Sequence, residues 1–203
     1  MKHYIDITFL PSDDIGVHFL WSKVMMQVHL ALVEVQDNNK RVPVAVSFPN
    51  YKAPANDKPG FIGNKLRLLS VNKADLERLN ITKWLSRLED YVHIKNIADV
   101  PTTIKTFESF SRRQKAGSFG KLLRRRLKRA EKNGNETPEQ AKEFFNGYAM
   151  KEEDKALPFI KMKSLTSNDE FNLSIIRKDV EQESTTVTFN TYGLSKKAAL
   201  PKF

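Results

Sequence analysis

The chain has 203 residues, 40% hydrophobic and 29% charged, with a formal net charge of +10 and no cysteine. That composition suits a folded chain with a real core, and it excludes disulfides, thiolate metal sites and cysteine nucleophiles. No apolar run approaches the roughly 18 residues of a membrane span, and the N-terminus lacks the apolar core of a signal peptide, so a cytoplasmic location with no membrane partner is expected.

"HYIDITFL" (3–10) alternates apolar and polar positions and stops at Pro11, which predicts a strand. Asp13 or Asp14 is the expected cap of a long helix, because Val17, Leu20, Val24, Val28, Ala31 and Val35 recur at helical spacing. "DNNK" breaks it. "VPVAVSFP" (42–49) and "KLRLLSVN" (65–72) read as strands. "KADLERL" with "TKWLSRLEDYV" gives one broken helix or two short ones, and "VHIKNI" (92–97) another strand. The order β-α-β-β-α-β is that of a ferredoxin-like domain, an antiparallel sheet with two helices on one face. This places a first domain at 1–98 and a second, α+β, at 99–203.

In the second part "TIKTFESF" is a candidate strand, followed by a basic helix that frays at "NGN" (133–135). "TPEQAKEFF" opens with Thr137, Pro138 and Gln140, the pattern of a capping box. "LPFIKMKSL", "EFNLSIIRK" and "TTVTFNTYGL" read as strands.

Charge is concentrated rather than spread. Between Arg112 and Lys132 there are ten basic residues and one acid, Glu131, a net of +9 out of the chain's +10. On a helical wheel Lys121, Arg124, Arg125, Lys128 and Lys132 share one face, with Arg129 at its edge and Arg126 near the boundary. Leu123, Leu127 and Ala130 lie opposite. A solvated face is the plain alternative, but such faces interleave glutamates at i,i+4 to relieve repulsion. Six arginines in this stretch favour a phosphate polymer, which guanidinium groups grip bidentately. Just upstream, Arg113 extends the basic run, and Arg112 and Gln114 are residue types that read guanine and adenine edges.

The four histidines, His3, His18, His29 and His93, have no metal spacing. No zinc-protease, phosphate-loop or nucleophile-elbow motif occurs, so no metal or cofactor is expected. One metal-free reaction needs few parts. RNA carries its own nucleophile, and a base can help its 2′-hydroxyl attack the adjacent phosphorus in line, giving a 2′,3′-cyclic phosphate and a 5′-hydroxyl. His29 lies about 110° from the centre of the apolar stripe of its helix. From spacing alone it reads first as a boundary histidine without a role, and second as that base.

Several stretches resemble one family in shared order: "HYIDITFLP", "VHLALV" around His29, "VSFP", "IGNKLRLLSVNKADLERL", "SRRQK", "LLRRRLKR", "LPFIKMKS" and "TYGLSK". The chain resembles the CRISPR-associated endoribonucleases of subtype I-F, which process precursor CRISPR RNA. The resemblance implies that the second domain grips a repeat hairpin through its arginine-rich helix. It implies metal-independent cleavage at the base of the stem. It also implies that the product stays bound within an interference complex with other subunits. It assigns His29 to activating or aligning the 2′-hydroxyl, Ser164 to holding the ribose and Tyr192 to orienting the site. Thr166 stands where the family carries a second serine. Phe171 is assigned to stacking on the terminal base pair, and Arg112 and Gln114 to reading the lower stem. Lys121, Arg124, Arg125, Lys128 and Arg129 would meet stem phosphates. The alternative is a non-catalytic hairpin-binding scaffold on the same fold.

Overall fold

A computed structural model describes residues 1–55, 58–113, 119–134, 136–144, 156–164, 167–181 and 188–203, except for the side chains of 119–121. The first half contains β1 (His3–Phe9), α1 (Val17–Glu34), β2 (Ala45–Ser47), β3 (Lys65–Ser70), α2 (Lys73–Leu79), α3 (Ile81–Trp84), β4 (Val92–Ile94) and β5 (Ala98–Asp99). Their sheet has the order β2-β3-β1-β4, antiparallel at each named pairing, and β5 also pairs with β1. The alternation of β1 sets the register: Ile5 lies opposite Leu68 and Ile7 opposite Leu66, all four buried. α1 buries Leu20, Trp21, Val24, Val28, Ala31 and Leu32 at helical spacing.

Asp6 and Arg67 face each other across β1 and β3 and are both buried. Arg67 donates to both Asp6 carboxylate oxygens at 2.6 and 3.0 Å. It also donates to the Phe203 carbonyl oxygen at 2.9 Å, with the Phe203 ring 3.8 Å from its guanidinium carbon. The buried charges are thus paired and hydrogen-bonded, and the end of the chain is fastened to the first sheet.

The second half contains β6 (Phe107–Arg113), α4 (Phe119–Asn133), α5 (Pro138–Glu143), β7 (Phe159–Lys163), β8 (Glu170–Val180) and β9 (Leu200–Pro201). These strands form an antiparallel sheet of order β7-β8-β6-β9. The fold is therefore α+β with two antiparallel sheets. One buried apolar cluster runs through both, with Phe48 and Phe110 in edge contact at 5.2 Å. α1 packs along β7, where the Ser22 hydroxyl donates to the Lys161 carbonyl at 2.7 Å. That contact carries His29, two turns further on, toward the second sheet.

Four details differ from the sequence expectations. Gly16, not Asp13 or Asp14, caps α1. The Ser12 hydroxyl instead accepts the Asp14 and Ile15 N–H groups, a local turn that competes with a side-chain cap. The strand expected over 42–49 is only three residues long, because Pro43 and Pro49 cannot donate to a ladder. Of "TTVTFNTYGL", the described residues 188–194 form one bridge, between Phe189 and Val42, and then a turn. β9 carries no alternating pattern and was not foreseen. The capping box at Thr137 forms as expected, with reciprocal bonds to Gln140. Gly134 ends α4 at φ 65, its N–H bonded to the Ala130 carbonyl.

Candidate active site and nucleic-acid interface

The centre is a turn. The Asn190 side-chain oxygen accepts the N–H groups of Tyr192 at 2.9 Å and Leu194 at 3.1 Å, and Gly193 adopts φ 71. This is an asparagine turn followed by a left-handed glycine. The Val46 N–H donates to the Gly193 carbonyl at 2.8 Å, and the Ser195 N–H to the Phe110 carbonyl at 3.0 Å. The turn is thus fastened to the edge strand of one sheet and to β6 of the other.

His29 projects onto this turn. Its Nδ1 lies 2.7 Å from the Thr191 carbonyl oxygen. A carbonyl only accepts, so Nδ1 carries the proton and the lone pair sits on Nε2. The imidazole stacks on the Tyr192 ring at 4.3 Å and 9°. Burial pushes the Tyr192 phenol up from its ordinary pKa, with nearby Arg112 acting in the opposite direction. Tyr192 therefore stays neutral at physiological pH and serves as a flat wall.

Arg112, near the end of β6, joins this pair to β8. Its guanidinium carbon lies 5.9 Å from the Tyr192 ring centroid and 5.3 Å from that of Phe171. His29, Tyr192, Arg112 and Phe171 thus form one continuous chain of contacts, a stacked ring pair followed by a guanidinium within cation–π distance of two rings. Phe171 pairs across the ladder with Met162, two residues before Ser164. Ser164 leaves β7 there. Its N–H donates to the Asp169 carbonyl at 2.8 Å, and its hydroxyl accepts the Ser167 N–H at 3.2 Å. No hydrogen bond joins Ser164 to His29. Thr166 and Gln114 lie outside the described residues, as does the side chain of Lys121.

On α4, Arg124, Arg125, Lys128 and Arg129 are exposed, Leu123 and Leu127 are half-buried, and Ala130 is buried. Arg126 is engaged differently. It donates to both Glu136 carboxylate oxygens at 2.8 to 2.9 Å through Nε, and its guanidinium lies 3.5 Å from the Phe144 ring centroid. It therefore ties α4 to α5, leaving its four neighbours as the outward basic surface. Thr191, Asn190 and Gly193 were not singled out from sequence, although "NTYG" is a turn signal.

Residues 4–203 match the family described as CRISPR-associated protein (Cas_Csy4). The chain belongs to this family. A "CRISPR-associated endonuclease Cas6/Csy4" from Escherichia coli (strain UTI89 / UPEC) is 33% identical over 203 residues, covering 100% of both chains. A protein of the same description from Pseudomonas aeruginosa (strain UCBPP-PA14) is 29% identical over 203 residues, again covering 100% of both. The family resemblance read from the sequence motifs is thereby borne out. Among the described residues of this Csy4-family chain, no helix is long and apolar enough to cross a membrane.

Proposed function

We propose that this Csy4-family protein is a metal-independent endoribonuclease that binds the stem-loop of CRISPR repeat RNA and cuts at the base of the stem. The observation that carries this reading is the fixed imidazole. The Thr191 carbonyl and the Tyr192 ring constrain His29 on two sides, more than a scaffold needs, and leave one nitrogen able to accept a proton. His29 Nε2 takes or aligns the 2′-hydroxyl proton of the nucleotide before the cut. A bond forms from O2′ to phosphorus and the bond from phosphorus to O5′ breaks. The hairpin keeps a 2′,3′-cyclic phosphate, and the released 5′-oxygen takes a proton from the imidazole or from water, balancing the one lost by O2′.

Ser164, with Thr166, holds the ribose in line, and Tyr192 orients His29. Phe171 supplies a stacking surface for the last base pair. Arg112, within cation–π distance of Phe171 and Tyr192, reads a guanine edge and Gln114 an adenine edge of the lower stem, and Arg113 extends the basic track. Lys121, Arg124, Arg125, Lys128 and Arg129 meet stem phosphates. A short hairpin opens the otherwise narrow major groove of A-form RNA to such side chains. The strand order β2-β3-β1-β4 with α1 to α3 supports a ferredoxin-like reading of 1–98, leaving 99–203 as the RNA-gripping part. The product stays bound, and the protein works in the cytoplasm as one subunit of a type I-F complex.

A repeat hairpin with a single 2′-deoxynucleotide before the cut tests the chemistry. It should bind as the all-ribose RNA does and remain whole. Cleavage of the deoxy RNA would refute attack by the 2′-hydroxyl.

A further inference from the structure

The role given to His29 depends on which ring nitrogen carries its proton. Either nitrogen of a neutral imidazole can carry it, and the hydrogen bond that the ring makes decides. Here the deciding group is the Thr191 carbonyl, 2.7 Å from Nδ1. A backbone carbonyl selects a tautomer only while its peptide plane is held. The Thr191 carbonyl and the Tyr192 N–H are opposite ends of one planar trans peptide unit, so whatever grips the N–H aims the carbonyl. The Asn190 side chain is that grip. Its Oδ1 accepts the Tyr192 N–H at 2.9 Å and the Leu194 N–H at 3.1 Å. The Asn190 backbone closes the same loop. Its carbonyl accepts the Gly193 N–H at 2.8 Å, and its N–H donates to the Leu194 carbonyl at 3.2 Å. The Tyr192 ring, stacked on the imidazole, leaves from the same peptide unit. One bond at Oδ1 therefore sets both contacts to His29.

We infer that Asn190 is a positioning residue for the reaction, acting on His29 through the peptide between Thr191 and Tyr192. The inference rests on the proposed reaction at His29. The chain of bonds runs from Asn190 Oδ1 to the Tyr192 N–H, through the peptide to the Thr191 oxygen, and on to the Nδ1–H of His29. It does for this imidazole what a third group does for the base of a nucleophile–base pair, holding the tautomer and the ring orientation. No proton moves along it. Nδ1 keeps its proton throughout, and the proton of the 2′-hydroxyl meets the lone pair on Nε2. Hydrogen bonds in series polarise one another, so an acceptor on the Tyr192 N–H also strengthens the Thr191 oxygen as an acceptor. What the position requires is an acceptor oxygen on a short side chain. Aspartate supplies one and leucine, of similar shape, does not.

The test follows the His29 ring and the cleavage rate in the same full-length variants. Nitrogen-15 spectra recorded at about pH 8, where an ordinary histidine is neutral, distinguish the two ring nitrogens. In the wild type the His29 signals should show the proton on Nδ1. Asn190→Leu should move part of it to Nε2. Single-turnover cleavage of a repeat hairpin at saturating RNA should then fall on the order of tenfold to a hundredfold, a share of the roughly 10²–10⁴ that a positioned base supplies. Hairpin affinity should hold, since Asn190 is given no contact to RNA. Asn190→Asp restores the acceptor and should restore both the Nδ1–H signal and most of the rate. That rescue separates aiming of the carbonyl from general damage to the fold. A ring still protonated on Nδ1 in Asn190→Leu, whatever its rate, would overturn the inference while leaving the reaction at His29 intact. So would an Asn190→Asp variant as altered as Asn190→Leu in both readouts. Absence of cleavage by the wild type would overturn that reaction, and this inference with it.

Discussion

Gly193 is the point at which a single methyl group should disable the site. It sits at φ 71, and a Cβ placed there would come within 2.4 Å of the Val46 Cγ2 and 2.9 Å of the Val46 nitrogen. A left-handed alanine costs about 1–2 kcal/mol, and overpacking against a buried neighbour typically about 1–3 kcal/mol more. Val46 is fully buried in β2, and its N–H is bonded to the Gly193 carbonyl, so the neighbour cannot yield without loss. Gly193→Ala should therefore destabilise the fold by roughly 2–5 kcal/mol, read as a lower urea midpoint with unchanged slope. Relief by moving the turn would displace the Thr191 carbonyl and the Tyr192 ring together. Cleavage of a repeat hairpin should then fall much further than hairpin affinity, measured on folded variant in a single-turnover assay. A variant as stable as the wild type that cuts at the same rate would show that the turn does not hold His29 in place.

Three further perturbations separate the parts of the molecule. Arg124→Ala with Arg125→Ala should weaken hairpin binding and reduce its salt slope by about two, roughly one per lost phosphate contact; an unaltered slope would remove this face of α4 from the interface. Glu136→Gln removes the ion pair of Arg126 and should lower the melting temperature while the salt slope stays near that of the wild type, because Arg126 is not among the residues proposed to meet RNA. Glu108 is buried, and burial raises its carboxyl above the ordinary range, opposed by Arg177, Lys202 and the Ser47 hydroxyl. The folded state therefore holds that proton more tightly than the unfolded chain. The contribution of Glu108 to stability is fullest at low pH and is lost as pH rises from about 4 through the raised value. Glu108→Gln should flatten that part of the urea-midpoint profile; an equally steep fall in the variant would assign it to another group.

Local signals were legible where they are strong. The apolar spacing of α1, the alternation of β1, the capping box at Thr137 and the helix through the arginine run are all written within a few residues of themselves. The angle of His29 from the stripe placed it at a half-buried boundary, which the structure reproduces. What the pattern could not show depends on distant partners. The Thr191 carbonyl meets His29 across 162 residues of sequence, and no local periodicity encodes such an encounter. β9 is two residues long and exists only because β6 offers it an edge. The run "TTVTFNTYGL" reads as a strand, yet within its described part Asn190 and Gly193 turn the chain, since side-chain bonds to the backbone outcompete a ladder there. The double contact of Arg112 with Phe171 and Tyr192 is likewise a product of the sheet register and the turn.

On the proposed reading His29, held by the turn at Asn190–Gly193, cuts RNA without a metal ion. The most direct test of that reading is incubation of an end-labelled repeat hairpin with wild type and His29→Ala in excess EDTA, with affinity measured alongside. The expected result is one cut at the stem base by the wild type only, leaving a cyclic phosphate, with similar hairpin affinity for both proteins. Equal cutting by His29→Ala, or tight binding by both with no cut by either, would contradict the claim.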